Sequence, residues 1–225
     1  MKKCLQDVVK VKGKICLAAL LAVFAALGAC LAEEHGARFK HEYEILNNQV
    51  TLDGENVYQE LLIPEEFPIV YVDGEEANRL LEEESGILYL GFPECPWCRT
   101  LLPALIAACG ESGYAGNIYY YNALRDRDVM FLSDDGEIVV DAEGAQVYHD
   151  LVAKLYGYLE PYGGLDDPAI RRIYFPTTVF FSGGAVASVH LDTVDSQENG
   201  YDPLTGEQFE ELKGMLIEQI GAIQQ

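Results

Sequence analysis

The sequence predicts an α/β domain, a mixed central sheet flanked by helices, with a mainly helical insertion. Three observations carry that reading. Apolar, strand-like runs alternate with helical periodicity between residues 67 and 121, a βαβ arrangement with mainly parallel pairing. Two further apolar runs, Thr177–Phe181 and Ala185–Val189, flank Gly183-Gly184, which is a hairpin signal. Residues 206–223 place Phe209, Leu212, Met215, Leu216 and Ile220 at helical spacing, so a helix that buries these side chains closes the chain.

Taken in order, Phe67–Val72 is the first strand and Gly74–Glu83 the helix that returns the chain. Residues 87–92 are a short apolar run ending in Gly-Phe-Pro, a buried strand. From Pro96 the apolar positions Leu101, Leu102, Leu105, Ile106 and Cys109 recur at helical spacing. Pro96 suits the first helical position, where its missing N–H would have been unpaired. After a turn at 110–116, Asn117–Tyr121 is a third strand, its tyrosines read as covered on both faces. Residues 128–165 form the insertion: a turn at Asp134-Asp135-Gly136, a strand at Glu137–Val140 and helical periodicity over Gly144–Leu159. Pro168–Tyr174 reads as a short helix. Asp192, Asp195, Glu198 and Asp202 read as a solvated acidic loop, since the glycine and final glutamate of an EF-hand are missing.

At 225 residues the chain can bury a full core without disulfide or metal staples. Its net charge of −22 is unevenly placed. The first 29 residues hold five lysines and one acid, which leaves 10 basic and 36 acidic residues, −26, in the remainder. Such a field repels phosphate backbones, so no nucleic-acid partner is expected, nor electrostatic docking on an anionic membrane.

The basic stretch to Lys14, the apolar run Ile15–Leu27 and the small pair Gly28-Ala29 have the layout of an export signal. A membrane-anchoring helix is the alternative, but thirteen apolar residues fall short of the roughly 20 that span a bilayer. Leu27-Gly28-Ala29-Cys30 resembles the bacterial lipobox, with ordinary signal-peptidase cleavage as the competing reading. By that resemblance residues 1–29 are removed and Cys30 carries the lipid. Residues 30–66 are then a tether and docking segment, with Phe39, Tyr43 and Leu46 at helical spacing, ahead of a domain at 67–225. Either cleavage puts the mature chain outside the cytoplasm, at a bacterial cell membrane if lipid-anchored, where disulfide chemistry is permitted.

With Cys30 assigned to the lipid, Cys95, Cys98 and Cys109 remain in the mature domain, which suggests one working pair and one inert core residue. Cys95 lies where a strand ends and a helix begins, and a helix amino terminus favours the thiolate, the attacking form. Cys98, one turn further in, is placed to resolve a mixed disulfide. A structural disulfide is one alternative. Half a zinc site is another, weakened because the chain has no second Cys pair and its four histidines are scattered, so no metal is expected.

Strand, Cys95-Pro96-Trp97-Cys98, then a helix carrying Pro103 resembles the thioredoxin superfamily, as does Phe175-Pro176-Thr177 leading into a hairpin. The resemblance implies a thioredoxin-like fold and thiol–disulfide oxidoreductase activity, with Cys95 as nucleophile and Cys98 as resolving thiol. It implies a cis-proline at Pro176 and a substrate groove at Trp97, Phe175 and Pro176. The redox-active Cys95–Cys98 pair would need no other cofactor. The partners implied are extracytoplasmic protein or peptide thiols and a membrane redox protein that recycles the dithiol. Two departures stand out: the dipeptide between the cysteines is Pro-Trp, and Tyr89 stands where many relatives keep a buried acid. Glu94, just before Cys95, reads as a solvated surface acid, with a proton relay as the alternative. The alternative function is a non-catalytic accessory or binding lipoprotein for peptide export or assembly, to which the long insertion would belong.

Overall fold

The computed structural model describes residues 34–224. Among them, five strands form one mixed sheet flanked by five helices, an α/β architecture. Helix α1 covers 34–44. It is followed by β1 (Ile69–Tyr71), α2 (Gly74–Glu83), β2 (Gly86–Leu90), α3 (Pro96–Glu111) and β3 (Ile118–Tyr121). The insertion contributes β4 (Val129–Leu132), β5 (Ile138–Ala142), α4 (Gln146–Leu155) and β6 (Glu160–Pro161). Then come β7 (Arg171–Arg172), β8 (Thr177–Ser182), β9 (Ala185–Leu191) and α5 (Gly206–Ile223).

The main sheet has the order β1-β3-β2-β8-β9. β3 runs parallel to both β1 and β2, while β8 is antiparallel to β2 and to β9. Central β2 is buried along its whole length, as a strand covered on both faces must be. Its side chains alternate between two cores. Ile87 and Tyr89 join α1, α3 and α5, whereas Leu88 and Leu90 join α2 and α4.

Local chemistry accounts for the helix bounds. Asp73 caps α2 by accepting the Glu76 N–H at 2.9 Å, and Thr205 with Gln208 forms a capping box at α5. On α5 the expected core positions Leu212, Leu216 and Ile220 are buried. Phe209 is only partly buried, and Met215 is 42% exposed, a correction to its expected burial. Met215 neighbours the buried row Leu212, Leu216 and Ile220 without sharing its face.

Two further expectations are corrected. Pro168–Tyr174 is not a helix: Asp167 accepts the Ala169 N–H in a tight turn, and Arg171–Arg172 pairs with Glu160–Pro161 as a two-stranded ribbon. Seven residues cannot repay helix nucleation when an Asp side chain offers the backbone another partner. The insertion is also less helical than expected, because Val129–Leu132 pairs with β5 as a hairpin. Val129, Phe131, Ile138, Val139 and Val140 on this hairpin are all more than a third exposed.

The segment before β1 is packed into the domain. Phe39 and Tyr43 on α1 are fully buried, and Leu61 and Ile63 enter the same core. Cys109, on the buried face of α3, is likewise a core residue. Burial pushes its thiol from the ordinary 9.0 up to about 12. The unfolded chain ionises this thiol from about pH 9 while the folded chain still holds the proton. The stability involved is therefore intact below pH 9 and lost as pH climbs towards 12. Urea titrations across that range should show a falling midpoint. Cys109→Ala should lessen the fall by up to about 1.4 kcal/mol per pH unit, and parallel wild-type and variant curves would contradict the assignment.

Candidate functional site

The site forms where β2 ends and α3 begins, beside the turn that leads into β8. Leu90 completes β2, and Gly91-Phe92-Pro93-Glu94 carries the chain to Cys95, whose N–H donates to the Phe92 carbonyl at 3.2 Å. Cys95 takes the N-cap position of α3 in extended conformation, with Pro96 as the first helical residue. Its sulfur does the work of a capping side chain: the Cys98 N–H donates to Cys95 Sγ at 3.1 Å. A thiolate at that place would meet free backbone donors and the positive end of the helix.

Phe175 closes the other side. Its carbonyl accepts a hydrogen bond from the Cys95 thiol at 3.4 Å, and the Phe175–Pro176 peptide bond is cis. Phe92 packs edge-on against the Phe175 ring at 5.4 Å, and the Arg127 guanidinium lies over that ring, also at 5.4 Å. Thr177 Oγ1 donates to the Tyr174 carbonyl at 2.6 Å and pins the turn. Trp97, half-buried, rests under Gly200; a Cβ added there would come within 2.9–3.1 Å of the indole.

A groove of about 310 Å³ runs alongside, lined by Trp97, Phe175, Pro176, Leu191, Asp192 and Arg172 among others. Cys95, Cys98, Trp97, Phe175 and Pro176 are thus brought together from positions 80 residues apart. Cys30 lies outside the described residues. Glu94 is exposed, as are Asp192, Asp195, Glu198 and Asp202.

The two cysteines differ in setting. Both are free thiols; Cys98 is fully buried and Cys95 is 4% exposed. Burial pushes the Cys98 thiol well up, and its contact with Cys95 adds to the shift. A hydrogen bond from the Tyr89 hydroxyl works in the opposite direction.

Several residues around the dithiol were not singled out from sequence. Arg99, next to Cys98, is 2% exposed. It donates to the Tyr43 carbonyl at 2.8 Å, Asn47 Oδ1 at 2.5 Å and the Gln59 carbonyl at 2.6 Å, and burial lowers its pKa. Arg172 lines the groove, and Arg127 lies over the Phe175 ring. A charged residue on the apolar face of a helical pattern was the available signal for Arg99; the other two had none. No family model and no curated protein matches the chain.

Proposed function

We propose that the protein is a thiol–disulfide oxidoreductase with a thioredoxin-like fold, tethered by a lipid on Cys30 to the outer face of a bacterial cell membrane. One observation carries the reading: the Cys95 sulfur caps α3 through the Cys98 N–H at 3.1 Å and faces the Phe175 carbonyl, before cis-Pro176, at 3.4 Å. The first sulfur stands at the open end of α3, and the second is one turn away to resolve the adduct. In the reducing direction, Cys95 attacks a substrate disulfide and expels one substrate thiolate. Cys98 then attacks Cys95 Sγ, the internal disulfide forms, and the second substrate thiolate leaves. An extended substrate chain would lie in the groove between Trp97 and Pro176, and a membrane redox partner would restore the dithiol.

The test is a pair of variants mixed with a disulfide-bonded protein such as insulin. Cys98→Ser should accumulate a mixed disulfide at Cys95, Cys95→Ser should form none, and neither should turn over. Turnover by either variant at the wild-type rate would end the enzymatic reading.

Two observations favour a second reading, a binding accessory for peptide export or assembly. Cys95 is only 4% exposed, and the β4–β5 hairpin presents apolar side chains to solvent. The open groove beside Pro176 favours catalysis, because the insertion does not fill it. Alkylation of the reduced protein separates the two: a catalyst should be modified at Cys95 ahead of Cys98 and Cys109, and an accessory at none of the three.

A further inference from the structure

Beneath the dithiol lies a group of buried hydroxyls that the chemistry of Cys95 does not use. Tyr89 is fully buried on β2. A Cβ added at Gly91 would lie 2.6 Å from the Tyr89 hydroxyl and 3.1 Å from Cys98 Sγ, so hydroxyl and sulfur face one small space that only glycine leaves open. On its other side the Tyr89 hydroxyl is 3.3 Å from that of Tyr43, which is fully buried on α1. The Tyr120 ring stacks on Tyr89 with centroids 5.7 Å apart, and its buried hydroxyl adjoins that of Tyr43. Tyr120 in turn lines a cavity of about 590 Å³ that also touches Glu42 and Glu94.

This arrangement answers a proton problem. Cys98 must lose its proton to resolve a mixed disulfide, yet it is cut off from solvent. Among the described residues the polar groups that act on it are Cys95, the Phe92 backbone and the Tyr89 hydroxyl, with no carboxylate in that set to take the proton.

We propose that Tyr89 and Tyr43 form a proton relay that carries the Cys98 proton towards the cavity beside Tyr120 when a mixed disulfide is resolved. The proposal rests on the dithiol reading above. In the step, the Cys98 S–H bond breaks and its electron pair forms the bond to Cys95 Sγ. The bond from Cys95 to the substrate sulfur breaks, and the substrate leaves as a thiolate that takes a proton from solvent. The Cys98 proton passes to the Tyr89 oxygen as the Tyr89 proton passes to Tyr43, and from Tyr43 a proton reaches the cavity side by way of the Tyr120 hydroxyl, which Tyr43 adjoins and which lines the cavity. Dithiol is oxidised and substrate disulfide reduced, with no other reactant. Burial holds both phenols well above their ordinary pKa, so they act as neutral hydroxyls that hand a proton on and never store charge. Arg99 binds the Tyr43 carbonyl and would disfavour any net positive charge left on the relay.

The experiment mixes the reduced full-length protein with a small aromatic disulfide and follows the Cys95 adduct in quenched samples by mass spectrometry. Adduct appearance reports attack by Cys95, and adduct decay reports resolution by Cys98. Tyr89→Phe keeps the ring, so appearance should be unchanged while decay slows roughly a hundredfold, the scale of a lost proton-transfer group. Tyr43→Phe should slow decay in the same selective way, and the solvent deuterium isotope effect on decay should change in both. Decay at the wild-type rate in either variant would overturn the relay, as would equal slowing of both steps, which marks a packing effect. Failure of the parent reading looks different: the wild-type adduct would then never decay.

Discussion

Replacing Arg99 with alanine should destabilise the domain by about 3–5 kcal/mol, because it strands several buried neutral acceptors at about 1–3 kcal/mol each. The side chain joins α3 to the segment ahead of β1 through the Tyr43 carbonyl, Asn47 Oδ1 and the Gln59 carbonyl. Alanine leaves these acceptors behind, together with a hole the size of a guanidinium. Arg99→Lys should recover only part of the loss, because a single ammonium cannot span acceptors spread across a planar fork. Urea unfolding followed by tyrosine and tryptophan fluorescence reads both variants. A loss within the roughly 0.5 kcal/mol typical of surface changes would mean that the segment does not depend on Arg99.

Gly184→Ala should be the most damaging change in the β8–β9 turn. Gly184 has φ +75°, and an added Cβ would sit 2.1 Å from the Glu82 carbonyl oxygen at the end of α2. Backbone on both sides leaves nothing flexible to give way. Its N–H also donates to the Glu84 carbonyl at 3.0 Å, so a turn that backs off loses that bond. Gly183 provides the control, with φ +59° but no atom within 4 Å of its added Cβ. Gly183→Ala should cost about 1–2 kcal/mol for the left-handed backbone alone. Gly184→Ala should cost clearly more, and the difference isolates the contact with α2. Equal losses in the two variants would show that α2 does not press on the turn.

Much of this architecture could be read from local pattern. The expected bounds of α2 and α5 coincide with those observed, because each begins at a side-chain cap that the sequence displays. Cys95 stands between strand and helix for the same reason: Gly-Phe-Pro stops one period and Pro96 starts the other. The failures share a different cause. Val129–Leu132 and Arg171–Arg172 become strands only because a partner lies beside them, and pairing leaves no mark in a short run. The meeting of Tyr43 with Tyr89, 46 residues apart, is equally hidden. Each reads as an apolar core position, and only the packing of α1 against β2 turns their hydroxyls towards each other.

The packing of α1 into the core also bears on the proposed lipid at Cys30. Glu34 is four residue steps beyond Cys30, a leash of at most about 14 Å. Beyond it, Phe39 and Tyr43 are already fastened inside the domain. A protein anchored this way would not sweep the space above the bilayer as one on a long linker does. It would ride at one height, with its dithiol open only to chains that pass close to the lipid surface, so that altitude as much as sequence would decide which disulfides it meets.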